Sequence, residues 1–227
     1  MSTADDLDGL LARKRVLDER AAAMPQLAAR VQELRAWQAH RLAQTYDDLR
    51  RDPRYSRAVE FFLADLYGPH DFTRRDHELM RAWRYLRRSL PAAALDALGR
   101  AVELEVLSAE LDQQMVAALP SGPVTDAAYA SAYRTVGRRN ARARQVDLVV
   151  GVGEDLERVV RHAWIRLALR IAHGPAHAAG LGVLQDFLER GHRAFRWMKD
   201  AKPLLEAMRE RETRLMQALF TGADGSA

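Results

Sequence analysis

The residues that end helices are few in this chain and gather in tight clusters. Six of its 8 prolines, with five of its 13 glycines, fall at Met24-Pro25, Asp52-Pro53, Gly68-Pro69, Pro120-Ser121-Gly122-Pro123, Gly174-Pro175 and Ala179-Gly180-Leu181-Gly182. Between these breaks run long stretches rich in Ala, Leu, Arg and Glu, all residues that favour helix. Within them apolar residues recur every three or four positions, and no alternating strand or hairpin pattern appears. The expected fold is all-α, a bundle of seven to nine helices with an N-terminal helical arm. At 227 residues and 48% hydrophobic, the chain can bury a sizeable core.

Residues 1–52 read as the arm, one kinked helix or two, with Pro25 suited to a first helical turn. Residues 53–220 read as the bundle and 221–227 as a disordered tail. The bundle helices are expected over Arg54–Tyr67, from about Asp71 or Thr73 to Leu90, and over Pro91–Leu119. The last of these is apolar on more than one side and therefore central. Thr125 caps a helix ending near Gly137. A long helix then runs from Arg138, with Val149, Val152, Leu156, Val160, Ala163, Leu167 and Ile171 along one side, until His173-Gly174-Pro175 stops it. Two more follow, Leu184–Met198 and Pro203–Phe220. Gly151-Val152-Gly153 is too short to cradle a phosphate and reads as a close helix contact or a kink.

Several function classes fall away. No run of about 18 apolar residues exists to span a membrane, and the N-terminus lacks the apolar segment of a secretory signal. With no cysteine there is neither a disulfide framework nor a thiolate site, and the cytoplasm is the expected compartment. The formal net charge is only +4. Walker, Rossmann, nucleophile-elbow and kinase motifs are absent.

The most unusual stretch is Val59–Asp76, VEFFLADLYGPHDFTRRD. A dense apolar helical face meets a Gly-Pro break and then a knot of charge. The stretch FFL-x2-LYGP-x-DF-x2-RD, with the later GPAHAAGLGVLQDFLERGHRAF over residues 174–195, resembles a family of uncharacterised bacterial proteins. The resemblance covers roughly Tyr55 to Met198. It implies a bacterial helical domain and supplies no catalytic residue.

In the knot, Tyr67, Asp71, Arg74, Arg75 and Asp76, joined by Glu105 of the central helix, form the candidate ligand site. Arginine presents a planar fork of donors to an anion, and a carboxylate behind it fixes its direction. The plainer reading is a helix cap and interhelical corner, in which a buried Glu105 would have an arginine partner because a lone buried carboxylate is costly.

No metal and no cofactor are expected. His70-Asp71 sits in a turn without the further ligands of a helical metal phosphohydrolase. His173 and His177 are four apart, but Gly174 and Pro175 stand between them, where a continuous helix is not expected. No Glu-x-x-His pair exists for a di-iron bundle. The run Arg134–Arg144 offers a basic stretch, read as a solvated helix start, and nucleic acid is not an expected partner. The four tryptophans read as packing anchors. The leading expectation is a protein-interaction adaptor or regulatory scaffold with a homo-oligomeric or other protein partner. An enzyme or ligand-binding bundle with an anion site at Tyr67–Asp76 is the alternative, and nucleic-acid binding through Arg134–Arg144 the second.

Overall fold

The computed structural model describes the backbone of residues 3–66, 73–198 and 200–222, and their side chains except at 3–6, 66 and 73. Among the described residues eleven α-helices form and no strand: α1 Thr3–Ala23, α2 Pro25–Thr45, α3 Asp47–Arg51, α4 Ser56–Phe61, α5 Thr73–Ser89, α6 Ala92–Ala118, α7 Asp126–Val136, α8 Arg139–Val160, α9 Ala163–Ala178, α10 Gly182–Trp197 and α11 Lys202–Thr221. The all-α class is as expected. The count exceeds seven to nine because Asp47–Arg51 stands as a separate short helix and because the helix expected over Arg138–Ile171 is two. Of the tail expected over 221–227, Thr221 ends α11 and Gly222 follows it, while 223–227 lie outside the described residues, as does Asp71, the alternative helix start.

The chain signals act locally as their chemistry requires. Pro25 opens α2, where its missing N–H costs nothing. Thr125 caps α7, its hydroxyl accepting from the Ala128 N–H at 3.2 Å. Gly137 turns left-handed at φ 64° and ends α7.

Helix α6 is central, contacted by α1, α2, α7 and α8. The N-terminal helices lie against it and are not splayed away: Leu7, Leu11 and Leu34 are buried. The largest core lies where α4, α8, α10 and α11 meet, around Phe61, Phe62, Val152, Phe195, Leu204 and Leu205. Each such side chain contributes about 1.5–3 kcal/mol by leaving water. At Gly153 the Leu205 side chain comes so close that a Cβ would collide with it, so of the two readings of this glycine pair Gly153 makes the close helix contact, while Gly151 has room for a Cβ. Past Phe61 the chain widens into a π-turn, Phe62–Leu66. Phe61 and Phe62 both pack edge-on against Phe195.

The stripe expected to run from Val149 to Ile171 is interrupted. Val149, Val152 and Val160 are buried on α8, but the backbone turns extended at His162. Helix α9 then leaves the core, with Leu167 and Ile171 exposed. Nor does Pro175 stop α9, which continues to Ala178. Pro175 lies in the last turn, where the one hydrogen bond it forfeits belongs to a carbonyl on a solvent-facing helix.

Candidate functional site

Of the six residues expected to form a ligand site, Tyr67 and Asp71 lie outside the described residues. Arg75, Asp76 and Glu105 come together. Arg75 donates from Nε to Asp76 Oδ1 at 2.9 Å and from Nη1 to the Asp65 carbonyl in the π-turn at 3.1 Å. Its Nη2 lies 3.7 Å from Glu105 Oε2, and its guanidinium stands 4.9 Å from the Phe187 ring centroid.

The residue that completes this knot is Lys14 of α1. Its ammonium reaches Asp76 at 2.8 Å, Asp18 at 2.7 Å and Glu105 at 4.0 Å. Burial pushes the Glu105 carboxyl above its ordinary value, Asp76 pushes it further, and Arg75, Lys14 and Arg35 offset only part of this. The charges bind α1, α5 and α6 to one another.

Arg74 does not join it. Its side chain is exposed and lies 3.4 Å from Glu78. Glu78 is buried, and its other oxygen accepts from the Leu184 N–H at 2.8 Å in the first turn of α10.

Beside Glu105 the interior opens into a recessed cavity of about 140 Å³ walled by α2, α6, α7, α8 and α11. Two of its arginines are paired. Arg35 donates to Asp112 at 3.0 Å, with Gln38 on the other oxygen at 3.2 Å. Arg41 reaches both oxygens of Glu212 at 3.3 and 3.1 Å, and the Tyr46 hydroxyl donates to the same carboxylate at 2.9 Å.

Arg142, 5% exposed, has no such partner. Its Nη1 makes one long bond, 3.4 Å, to Gln145 Oε1, and its guanidinium stacks 4.4 Å from the Tyr133 ring centroid. Nε and Nη2 are buried and bonded to nothing among the described residues. Those two nitrogens are the side-on fork with which Arg100 grips Asp155 and Arg144 grips Glu103. Burial also pushes the Tyr133 hydroxyl well above its ordinary value, so it stays a neutral donor. The residues lining the cavity therefore include an arginine whose two side-on donors have no acceptor, together with a phenol that can donate.

In the sequence Arg142 belongs to a basic run expected to be solvated. The run in fact disperses: Arg134 donates to the Leu219 carbonyl, Arg139 lies over Phe220, Arg142 turns inward and Arg144 pairs with Glu103. The missed signal was periodic. Seven residues before Val149 on the buried stripe of α8 stands Arg142, just as Lys14 stands seven after Leu7 on α1.

A second polar region lies outside the bundle, in an open cleft between α9, α10 and the segment before α4, about 1390 Å³ in volume. Arg57, Arg166, Arg170, Arg193 and Arg196 line it, with His192 at its base. His192 is 8% exposed and its Nε2 has no partner. Burial and then Arg196, Arg166 and Arg193 hold its imidazole below the ordinary value. Along one wall, His173 Nδ1 lies 2.8 Å from Glu189 Oε1, and the neighbouring His177 Nε2 lies 3.1 Å from Asp186 Oδ1.

These features define an all-α bundle with a polar recess in its interior and an arginine-lined cleft on its flank. The chain belongs to the family described as a domain of unknown function, DUF8198, whose model matches residues 17–226. The match takes in α2 as well as the bundle. No curated protein and no solved structure matches it.

Proposed function

We propose that this protein is a ligand-binding helical domain whose interior cavity takes a small anion bearing a carboxylate or phosphate group. One observation carries the reading: the unpartnered fork of Arg142, buried in the wall of a 140 Å³ recess. Guanidinium groups keep their charge, and a buried charge without a partner is costly. A bidentate anion is the partner whose shape matches that fork, and Tyr133 and Gln145 flank it. The neighbouring arginines are already neutralised by Asp112 and Glu212, which leaves Arg142 to hold the incoming charge.

The test is thermal unfolding of the full chain with inorganic phosphate, sulfate and small mono- and dicarboxylates, repeated on Arg142→Gln. A ligand binding only the folded state stabilises it by about 2.7 kcal/mol at a hundredfold excess over Kd. For a chain of this length that is roughly 5–10 °C. The expected result is a saturable rise in the wild-type midpoint that R142Q lacks. If no anion moves the wild-type midpoint, or if each moves both proteins equally, the reading falls.

A second reading, a protein-interaction adaptor that self-associates, is supported by the outer face of α9. Trp164, Leu167 and Ile171 recur there at helical spacing and are 45%, 54% and 66% exposed. Light scattering on the wild type and on a Leu167→Glu, Ile171→Glu variant tests it. The expectation is an oligomer reduced to monomer by the two charges, and a wild-type monomer mass would remove it.

A further inference from the structure

Helix α9 continues through Gly174 and Pro175, and this restores a geometry that a broken helix would destroy. His173 and His177 stand one turn apart on the same face, their ring centroids 4.6 Å apart. Helix α10 runs alongside and presents Asp186 and Glu189, also one turn apart, to these two imidazoles. The donor atoms of His173, His177 and Asp186 all lie within 4.8 Å of one another. Donors around a single zinc ion sit roughly 3.3 Å apart. The His177–Asp186 pair at 3.1 Å and the His173–Glu189 pair at 2.8 Å meet that spacing already, and the wider separations close with small side-chain turns.

Two further features make this more than a chance cluster of exposed groups. Gln185 is buried; its amide donates to the Leu169 carbonyl at 2.8 Å and to Glu189 Oε1 at 2.9 Å. It ties α10 to α9 and aims the Glu189 carboxylate, as outer groups do around metal ligands. The His177 ring, for its part, lies against Gly182, where a Cβ would stand 2.7 Å from Nδ1 and 2.9 Å from Cε1. Only glycine leaves the imidazole its place. Arg193 reaches the other Glu189 oxygen at 3.5 Å, which leaves Oε1 for the cluster.

We infer that His173, His177 and Asp186, with Glu189 oriented alongside, form a binding site for a divalent transition-metal ion of the zinc class. Two imidazoles and one or two carboxylates make a borderline nitrogen–oxygen donor set. Its remaining positions face solvent, since the side chains of His173, His177 and Asp186 are 54%, 42% and 47% exposed. His173 and Glu189 also form part of the arginine-lined cleft wall, so an anion lying against Arg166 and Arg170 would approach the ion's open side. Entry of the ion replaces the two histidine–carboxylate hydrogen bonds and releases any proton they share. The site uses none of the residues of the interior cavity.

Calorimetric titration of the chelator-treated full chain with zinc chloride tests the site. One ion per chain at micromolar Kd or tighter is the expected result. His177→Ala and Asp186→Asn should each weaken binding by about tenfold or more, with the metal-free melting temperature unchanged because both positions are exposed. Gly182→Ala removes no ligand, yet should weaken zinc binding by displacing the His177 ring. No binding at about 100 µM zinc overturns the inference, and so does an isotherm that H177A and D186N leave unchanged.

Discussion

At Glu105 the charge balance of the buried joint becomes measurable. Its carboxyl titrates above the ordinary value in the folded protein. Between its unfolded and folded values, then, the native state holds more protons than the unfolded one, and stability falls as pH rises through that window. Glu105→Gln abolishes this dependence. Urea unfolding at pH 4 and pH 8 should find E105Q gaining on the wild type at the higher pH; the opposite order would mean that the ionised carboxylate stabilises the joint through Arg75 and Lys14. The site residues Arg75, Asp76 and Glu105 were legible as neighbours, because acids and arginines at a helix start near an apolar central helix point to a corner. Lys14 was not, because a lysine in a helix ordinarily faces water, whereas the Leu7–Leu11 stripe carries it inward. Arg142 was misread for the same reason.

Most helices were legible from the spacing of apolar residues and from the Gly and Pro breaks, α6 as the central one included. What spacing alone could not decide was whether a stripe finds a partner. Val149 to Val160 and Ala163 to Ile171 share one period, yet the first half is buried and the second is not. The extended backbone at His162 separates them. Helix α9 packs chiefly on α10 and much less on α8. With so little of it buried, its amides should exchange with deuterium well before those of α6 and α8. Peptide-resolved exchange on the full chain is the measurement, and equal protection of α9 and α6 would show that α9 is part of the cooperative core. Zinc at His173 and His177 should slow exchange at the α9 C-terminus in particular.

Across the described residues, ion pairs join helices far apart in the chain: Arg41 with Glu212, Arg100 with Asp155, Arg211 with Asp48. No described helix is long and apolar enough to cross a membrane. The family match from residue 17 onward takes in the whole of α2, which packs against α6 and supplies one wall of the recess. That recess has a consequence for how the chain comes to work. Its walls draw on Arg35 and Arg41 near one end of the described chain and on Glu212 and Met216 near the other. During synthesis the α2 wall emerges first and the α11 wall last, so no partial chain can offer the complete chamber. An occupant would thus report that the chain has been made as far as α11 and has closed on itself.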